Sequence, residues 1–232
     1  TSLFLWEMMF APSIVQKKFF LMLGRIDRKI GRPLYRAASA VEDRAFAEAR
    51  TMHHISHFEA EEDEIMLIHI FASAFQTFLF PFDDMLSFTH FDTALPREQR
   101  MRIMAFYRDC IKRPLYVLGE DKHYVSKNPA FSCKVRSLYD MFPDARMICM
   151  VRTPFEAVPS AVSWMSHNFR SFHKLDSHYQ AERIIEAIGH WYTYPLETLP
   201  DFPKDMWSVE KYNDLVADPA EVIRRLYGKF GY

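Results

Sequence analysis

Cysteine is scarce in this 232-residue chain, and the three present, Cys110, Cys133 and Cys149, stand at long spacings with no CxxC pair. That excludes a disulfide framework and a zinc knuckle, and it predicts a reducing, cytoplasmic setting. Glycine is nearly as scarce, with six residues, which excludes collagen-like and low-complexity architectures. Charge of one sign is not in excess: 29 Lys and Arg against 30 Asp and Glu leave a formal net charge of −1. Such a chain has no bulk field to draw it onto nucleic acid or an anionic membrane, so no nucleic-acid partner is expected and any anion site must be local. The chain does not open on a basic segment followed by an apolar run and a small-residue cleavage site, so no secretory leader is expected in it. It starts on Thr1 and stops at Gly231-Tyr232 inside a helical pattern, and therefore reads as one domain truncated at both ends.

Apolar residues are plentiful at 49%, with 21 Phe, and support a sizeable core. Residues 1–122 read as mainly helical. Ser13 and Gln16 have capping-box spacing ahead of a run that Gly31 and Pro33 close; further helices are expected over 41–57, 62–80 and 96–113. Residues 65–82 hold no formal charge if His69 is neutral, close to the minimum for a membrane span. His69, Ser73, Gln76 and Thr77 would be costly in lipid, so a buried helix beside an apolar cavity is expected instead, with membrane association the less favoured reading.

From His123 the pattern changes to strand, tight turn and helix. Residues 123–127 read as a strand before Asn128-Pro129, Arg146–Val151 as a strand buried on both faces before Thr153-Pro154-Phe155-Glu156, and Trp207–Tyr212 as a strand before Asp218-Pro219-Ala220-Glu221. Repeated in this way, the units predict an α/β fold on a parallel sheet, with ligands at the carboxyl ends of the strands. Lys127 and Arg152 stand at two of those ends. An Arg beside a helix N-terminus suits a phosphate, because its fork binds bidentately and the helix end adds N–H donors. Ser160, eight residues on, can add a hydroxyl.

The stretch YVSKNPAFSCKVRSLYDMFPDARMICMVRTPFEAVPS resembles the sulfotransferase superfamily, which uses 3′-phosphoadenosine 5′-phosphosulfate as donor. The likeness rests on a lysine strand followed by Pro, Phe-Pro-Asp-Ala-Arg, an apolar strand, Arg-x-Pro and a Ser eight residues after that Arg. VEKYNDLVADPAEVIRRLYGKFG is similar to the family's later Tyr-Glu-Asp-Leu segment, with Asn213 in place of Glu. The resemblance implies a P-loop-like three-layer fold, residues 1–122 forming a helical acceptor side and 123–232 the donor side. It implies that Arg152 and Ser160 hold the 3′-phosphate, that Tyr212 lies near the adenosine, and that Lys127 contacts the transferred sulfuryl group. Glu7, in LFLWEMMFAP, resembles the general base of some branches. The family's Gly-rich 5′-phosphosulfate loop has no counterpart here, and the expectation is that it lies upstream of Thr1.

That chemistry requires in-line positioning and charge neutralisation, with no metal for donor binding. The acceptor is expected to be a small or lipid-like compound bearing a hydroxyl, or an amine, because Phe71, Phe75, Phe78, Phe80, Phe82, Phe88 and Phe91 crowd the helical half without a basic groove. A rival constellation is His53, His57 and Glu61, at i, i+4 and i+8 if the segment is helical. That is metal-ligand spacing for a helical metal-binding or interaction protein, and a His there rivals Glu7 as base.

Overall fold

A computed structural model describes residues 2–47, 56–80, 82–119, 121–172 and 177–232. They form two compact units, Thr1–Ser73 with Ala105–Asn128, and Ala74–Met104 with Pro129–Tyr232.

The second unit carries the sheet. Strands β1 (Met147–Val151) and β2 (Trp207–Lys211) pair in parallel, Met147 opposite Trp207 and Val151 opposite Lys211. The expectation of an α/β fold with a parallel sheet holds. Between the strands run the helices Pro154–Phe172 and Ser177–Thr198, the crossover that a parallel pair needs. Met147, Cys149 and Trp207 pack on a core of Val135, Tyr194 and Leu199. The expectation that β1 is buried on both faces fails: Ile148 and Met150 are exposed, because alternate side chains point away from that core. After β2 the helix Pro219–Phe230 starts as expected, the Asp218 carboxylate accepting from the Glu221 N–H at 3.0 Å. Ahead of β1, Asn128-Pro129 opens a 3-10 turn, Pro129–Lys134, that leads into the helix Val135–Met141.

The first unit holds the helices Ile14–Lys29 and Pro33–Ala45 and the 3-10 segment Asp63–Ile70. Ser13 precedes the first helix without making a side-chain cap. The next starts at Pro33, earlier than the expected 41, because Pro33 occupies N1 and Asp27 accepts from the free N–H groups of Leu34 and Tyr35 at 2.8 and 3.1 Å. The continuous helix expected over 62–80 is broken. Phe71 takes a left-handed φ of 53° and is 71% exposed, which ends the segment begun at Asp63. Its polar residues find partners, Ser73 donating to Glu64 at 2.6 Å and His69 bonding the Met8 carbonyl at 2.9 Å. No helix among the described residues is long and apolar enough to cross a membrane. The helix expected to end before Pro114 instead runs Arg97–Leu118 with that proline inside it. Residues 122–128, expected to begin as a strand, have no regular structure. Side chains rather than a ladder hold them: Ser2 donates to the Val125 carbonyl at 2.6 Å, and Tyr124 and Ser126 donate to Asp63.

Candidate functional site

In the second unit the parallel register sets Val151 beside Lys211, so Arg152 and Tyr212 leave adjacent carboxyl ends of the sheet. The Arg152 guanidinium lies 5.0 Å from the centre of the Tyr212 ring. Its Nε donates to Glu156 at 2.9 Å, one turn into the Pro154 helix. Thr153 starts that helix through its carbonyl, which accepts from the Glu156 and Ala157 N–H groups. Ser160 is exposed on the same helix. Sequence reasoning missed Tyr192, whose hydroxyl is bonded to the Arg152 backbone while burial raises its pKa. A cation that reaches an aromatic face, at strand ends beside a helix N-terminus, can bind an aromatic ring carrying an anionic group.

The first unit holds Lys127 and Glu7. Lys127 is exposed, its Nζ 3.9 Å from Glu62. Glu7 lies in the short helix Leu5–Met8 and is buried. Lys17 Nζ donates to its Oε1 at 2.6 Å and the Phe4 N–H to its Oε2 at 3.1 Å. A carboxylate oxygen accepts more than one hydrogen bond, so Glu7 keeps capacity for a further donor. Trp6, Pro12, Ser13, Gln16 and Pro114 line the recess around this pair. Glu7 is near enough to Tyr124 to help raise that phenol's pKa, after burial and Asp63.

The Glu62 carboxyl is shifted as well. Burial pushes its carboxyl from 4.5 up to about 7; the Lys127 ammonium opposes this, and Glu61, Glu64 and Asp63 reinforce it. The folded protein therefore keeps a proton there that the unfolded chain gives up between pH 4.5 and about 7, and the group lowers stability as pH rises through that window. Glu62→Gln removes the titration. Urea unfolding at pH 5 and pH 8 should show the wild type losing about 1–3 kcal/mol more than the variant over that interval. An equal loss in both proteins would assign the pH dependence elsewhere.

The rival constellation does not form as expected. His53 lies outside the described residues. His57 sits in a turn and Ala60 bridges Phe4, because backbone bonds run from Trp6 to His57 and from Leu5 to Glu59. His57 and Glu61 therefore do not share a helix face. His57 instead stacks on Phe46 at 4.8 Å, and its Nδ1 is 3.5 Å from Glu42. Among the described residues no group of three or more His, Cys, Asp or Glu could hold a metal ion. Of the phenylalanines, Phe88 and Phe91 are core, while Phe80 and Phe82 are exposed.

Comparison with known proteins gives the family and the fold. The model described as Sulfotransferase family matches residues 21–232. Curated relatives include the omega-hydroxy-beta-dihydromenaquinone-9 sulfotransferase Stf3 of Mycobacterium bovis and of Mycobacterium tuberculosis, each 26% identical over 117 residues, 47% of this chain and 29% of theirs. The crystal structure of sulfotransferase STF9 from Mycobacterium avium superposes with a TM-score of 0.72 at 18% identity, over 99% of this chain and 56% of that one. That of STF1 from Mycobacterium tuberculosis superposes at 0.67 and 18%, over 100% of this chain and 60% of that one. The chain thus spans less than a third of the curated relatives it matches and a little over half of the solved ones.

Proposed function

The chain belongs to the sulfotransferase family, and from that premise we propose that the full-length protein moves a sulfuryl group from 3′-phosphoadenosine 5′-phosphosulfate to a hydroxyl of an apolar or amphipathic acceptor. The observation that carries this reading is the pairing of Arg152 with Tyr212 at adjacent strand ends, 5.0 Å from guanidinium to ring centre. Arg152, with the Ser160 hydroxyl, binds the 3′-phosphate, and Tyr212 lies against the adenosine. Lys127 contacts the sulfuryl group and balances its charge as the bond to the 5′-phosphate breaks. Glu7 takes the proton from the acceptor hydroxyl. A buried carboxylate already paired with Lys17 supports that role, because Lys17 holds it in one orientation until the proton arrives.

The relatives that act on a dihydromenaquinone support a lipid-like acceptor, as do the exposed Phe80 and Phe82. The test incubates the full-length protein with radiolabelled donor and farnesol, a long apolar alcohol, and follows label into the organic phase. Label transferred to farnesol supports the reading; donor that stays intact with it and with a shorter aryl alcohol argues against it.

Donor binding has its own readout. Arg152→Ala should weaken binding of adenosine 3′,5′-bisphosphate, measured by calorimetry, by about 2 kcal/mol, roughly 30-fold, the scale of hydrogen bonds to a charged group. An unchanged affinity would remove Arg152 from the nucleotide site.

A further inference from the structure

Asp63 is the most heavily used side chain of the first unit that the reaction as proposed leaves without a role. It is 1% exposed at the start of the 3-10 segment Asp63–Ile70. Its Oδ2 accepts from the hydroxyls of Tyr107 and Tyr124, and its Oδ1 from that of Ser126, all three at 2.6 Å. Charge-assisted bonds of this length are strong and fix the groups that make them. Tyr107 belongs to the helix Arg97–Leu118, but Tyr124 and Ser126 belong to residues 122–128, which have no backbone ladder to hold them. Ser126 is the residue before Lys127.

The next contact along the chain has the same direction. Glu62, adjacent to Asp63, lies 3.9 Å from the Lys127 Nζ. Asp63 thus holds residues 124–126 at two side chains, and Glu62 beside it faces Lys127 without a hydrogen bond.

We infer that Asp63 is the positioning residue of Lys127: by binding Ser126 and Tyr124 it fixes the backbone from which the lysine reaches the sulfuryl group. This rests on the role proposed for Lys127. A cation on an untethered segment samples many positions, and a misplacement of about 1 Å can cost about 10²-fold in rate. The same carboxylate makes a third bond, to Tyr107, whose hydroxyl also bonds Ser126 and Tyr124, so Asp63 and the three hydroxyls form one cluster.

The experiment compares Ser126→Ala, Ser126→Thr, Tyr124→Phe and Lys127→Ala in the full-length protein, using radiolabelled donor and farnesol at a temperature well below every variant's Tm. Ser126→Ala is the decisive variant, because Ser126 is exposed and the substitution removes only its hydroxyl. The expected result is a fall in kcat of about tenfold for Ser126→Ala and for Tyr124→Phe, with the KM for donor changed less than about threefold. Ser126→Thr, which keeps the hydroxyl, should retain most of the wild-type kcat. Combined with Lys127→Ala, Ser126→Ala should cost nothing further, since there is no lysine left to position. A large effect of Lys127→Ala beside wild-type kcat in Ser126→Ala and Tyr124→Phe overturns the inference and leaves the proposed function standing. So does a fall in kcat that follows Tm equally in Ser126→Ala, Ser126→Thr and Tyr124→Phe. Wild-type turnover in Lys127→Ala, or none by the parent protein, overturns the reading beneath and this inference together.

Discussion

Replacing Lys127 with Ala in the full-length protein should lower kcat about 10²–10³-fold, the range for losing one well-placed electrostatic group, while the affinity for adenosine 3′,5′-bisphosphate stays within about twofold. The two halves follow from different parts of the molecule. Lys127 belongs to the unit made of Thr1–Ser73 and Ala105–Asn128, whereas Arg152, Ser160 and Tyr212 belong to the other. The nucleotide product lacks the sulfuryl group, so a lysine that touches only that group makes no difference to product binding. The charge matters most while the sulfur–oxygen bond to the leaving phosphate lengthens, when binding energy is realised in the transition state alone. Lys127 suits this because its ammonium is exposed and Glu62 stands at 3.9 Å, long for a hydrogen-bonded pair. Lys127→Arg keeps the charge but substitutes a planar fork for a compact ammonium, and should recover a part of the rate rather than all of it. Steady-state kinetics with radiolabelled donor, beside calorimetry with the bisphosphate, separate the two effects. A variant that loses nucleotide affinity as much as turnover would make Lys127 a binding residue instead.

What the sequence disclosed was what is written locally. β1, the Pro154 helix, β2 and the Asp218 cap each depend on a run of neighbours, and each formed where their residues predicted. Arg152 was visible for the same reason, as a cation between an apolar run and a Pro-led helix. The errors occurred where partners far along the chain decide. Nothing near Phe71 forecasts its left-handed φ of 53°, and a single such residue divides the helix that an uncharged run of apolar residues predicted. Residues 123–127 alternate like a strand, yet Tyr124 and Ser126 spend their hydroxyls on Asp63, 61 and 63 positions away. His57 and Glu61 have helical spacing, but the pairing of Phe4 with Ala60 draws that segment out of helical form. Asp63 and Asp92 were missed altogether, because a lone Asp in a sequence carries no sign of which distant donors converge on it.

Asp92 should be the most costly single residue to lose from the second unit, with Asp92→Ala reducing unfolding free energy by about 3–5 kcal/mol, the cost of leaving a buried charge without its partner. Its side chain is fully buried. Arg100 Nη1 donates to it at 2.9 Å, the Arg136 N–H at 2.8 Å and the Tyr194 hydroxyl at 3.1 Å, and the Ser137 hydroxyl adds a further bond. One carboxylate therefore caps the helix Val135–Met141, anchors the helix Ser177–Thr198 through Tyr194, and neutralises an arginine that is 14% exposed. Removing it leaves the Arg100 cation with Ser137 as its remaining bonded neighbour, and Arg100 Nε already lacks a hydrogen-bond partner. The Tyr194 phenol, pushed up to about 12 by burial and then by Asp92, should move back toward 10 in the variant, which an ultraviolet titration detects. Asp92→Asn keeps the shape and loses the charge, so it should fall between the wild type and Asp92→Ala in urea unfolding. Val135, Tyr194 and Leu199 form the core on which the sheet packs, so loosening the helices that carry Val135 and Tyr194 reaches β1 and the residue that follows it, Arg152. Asp92→Ala should accordingly weaken bisphosphate binding as well, although Asp92 touches no part of the nucleotide site. A loss of under about 1 kcal/mol would mean that Arg100 finds another anion, and the cluster would then be an accessory to the fold.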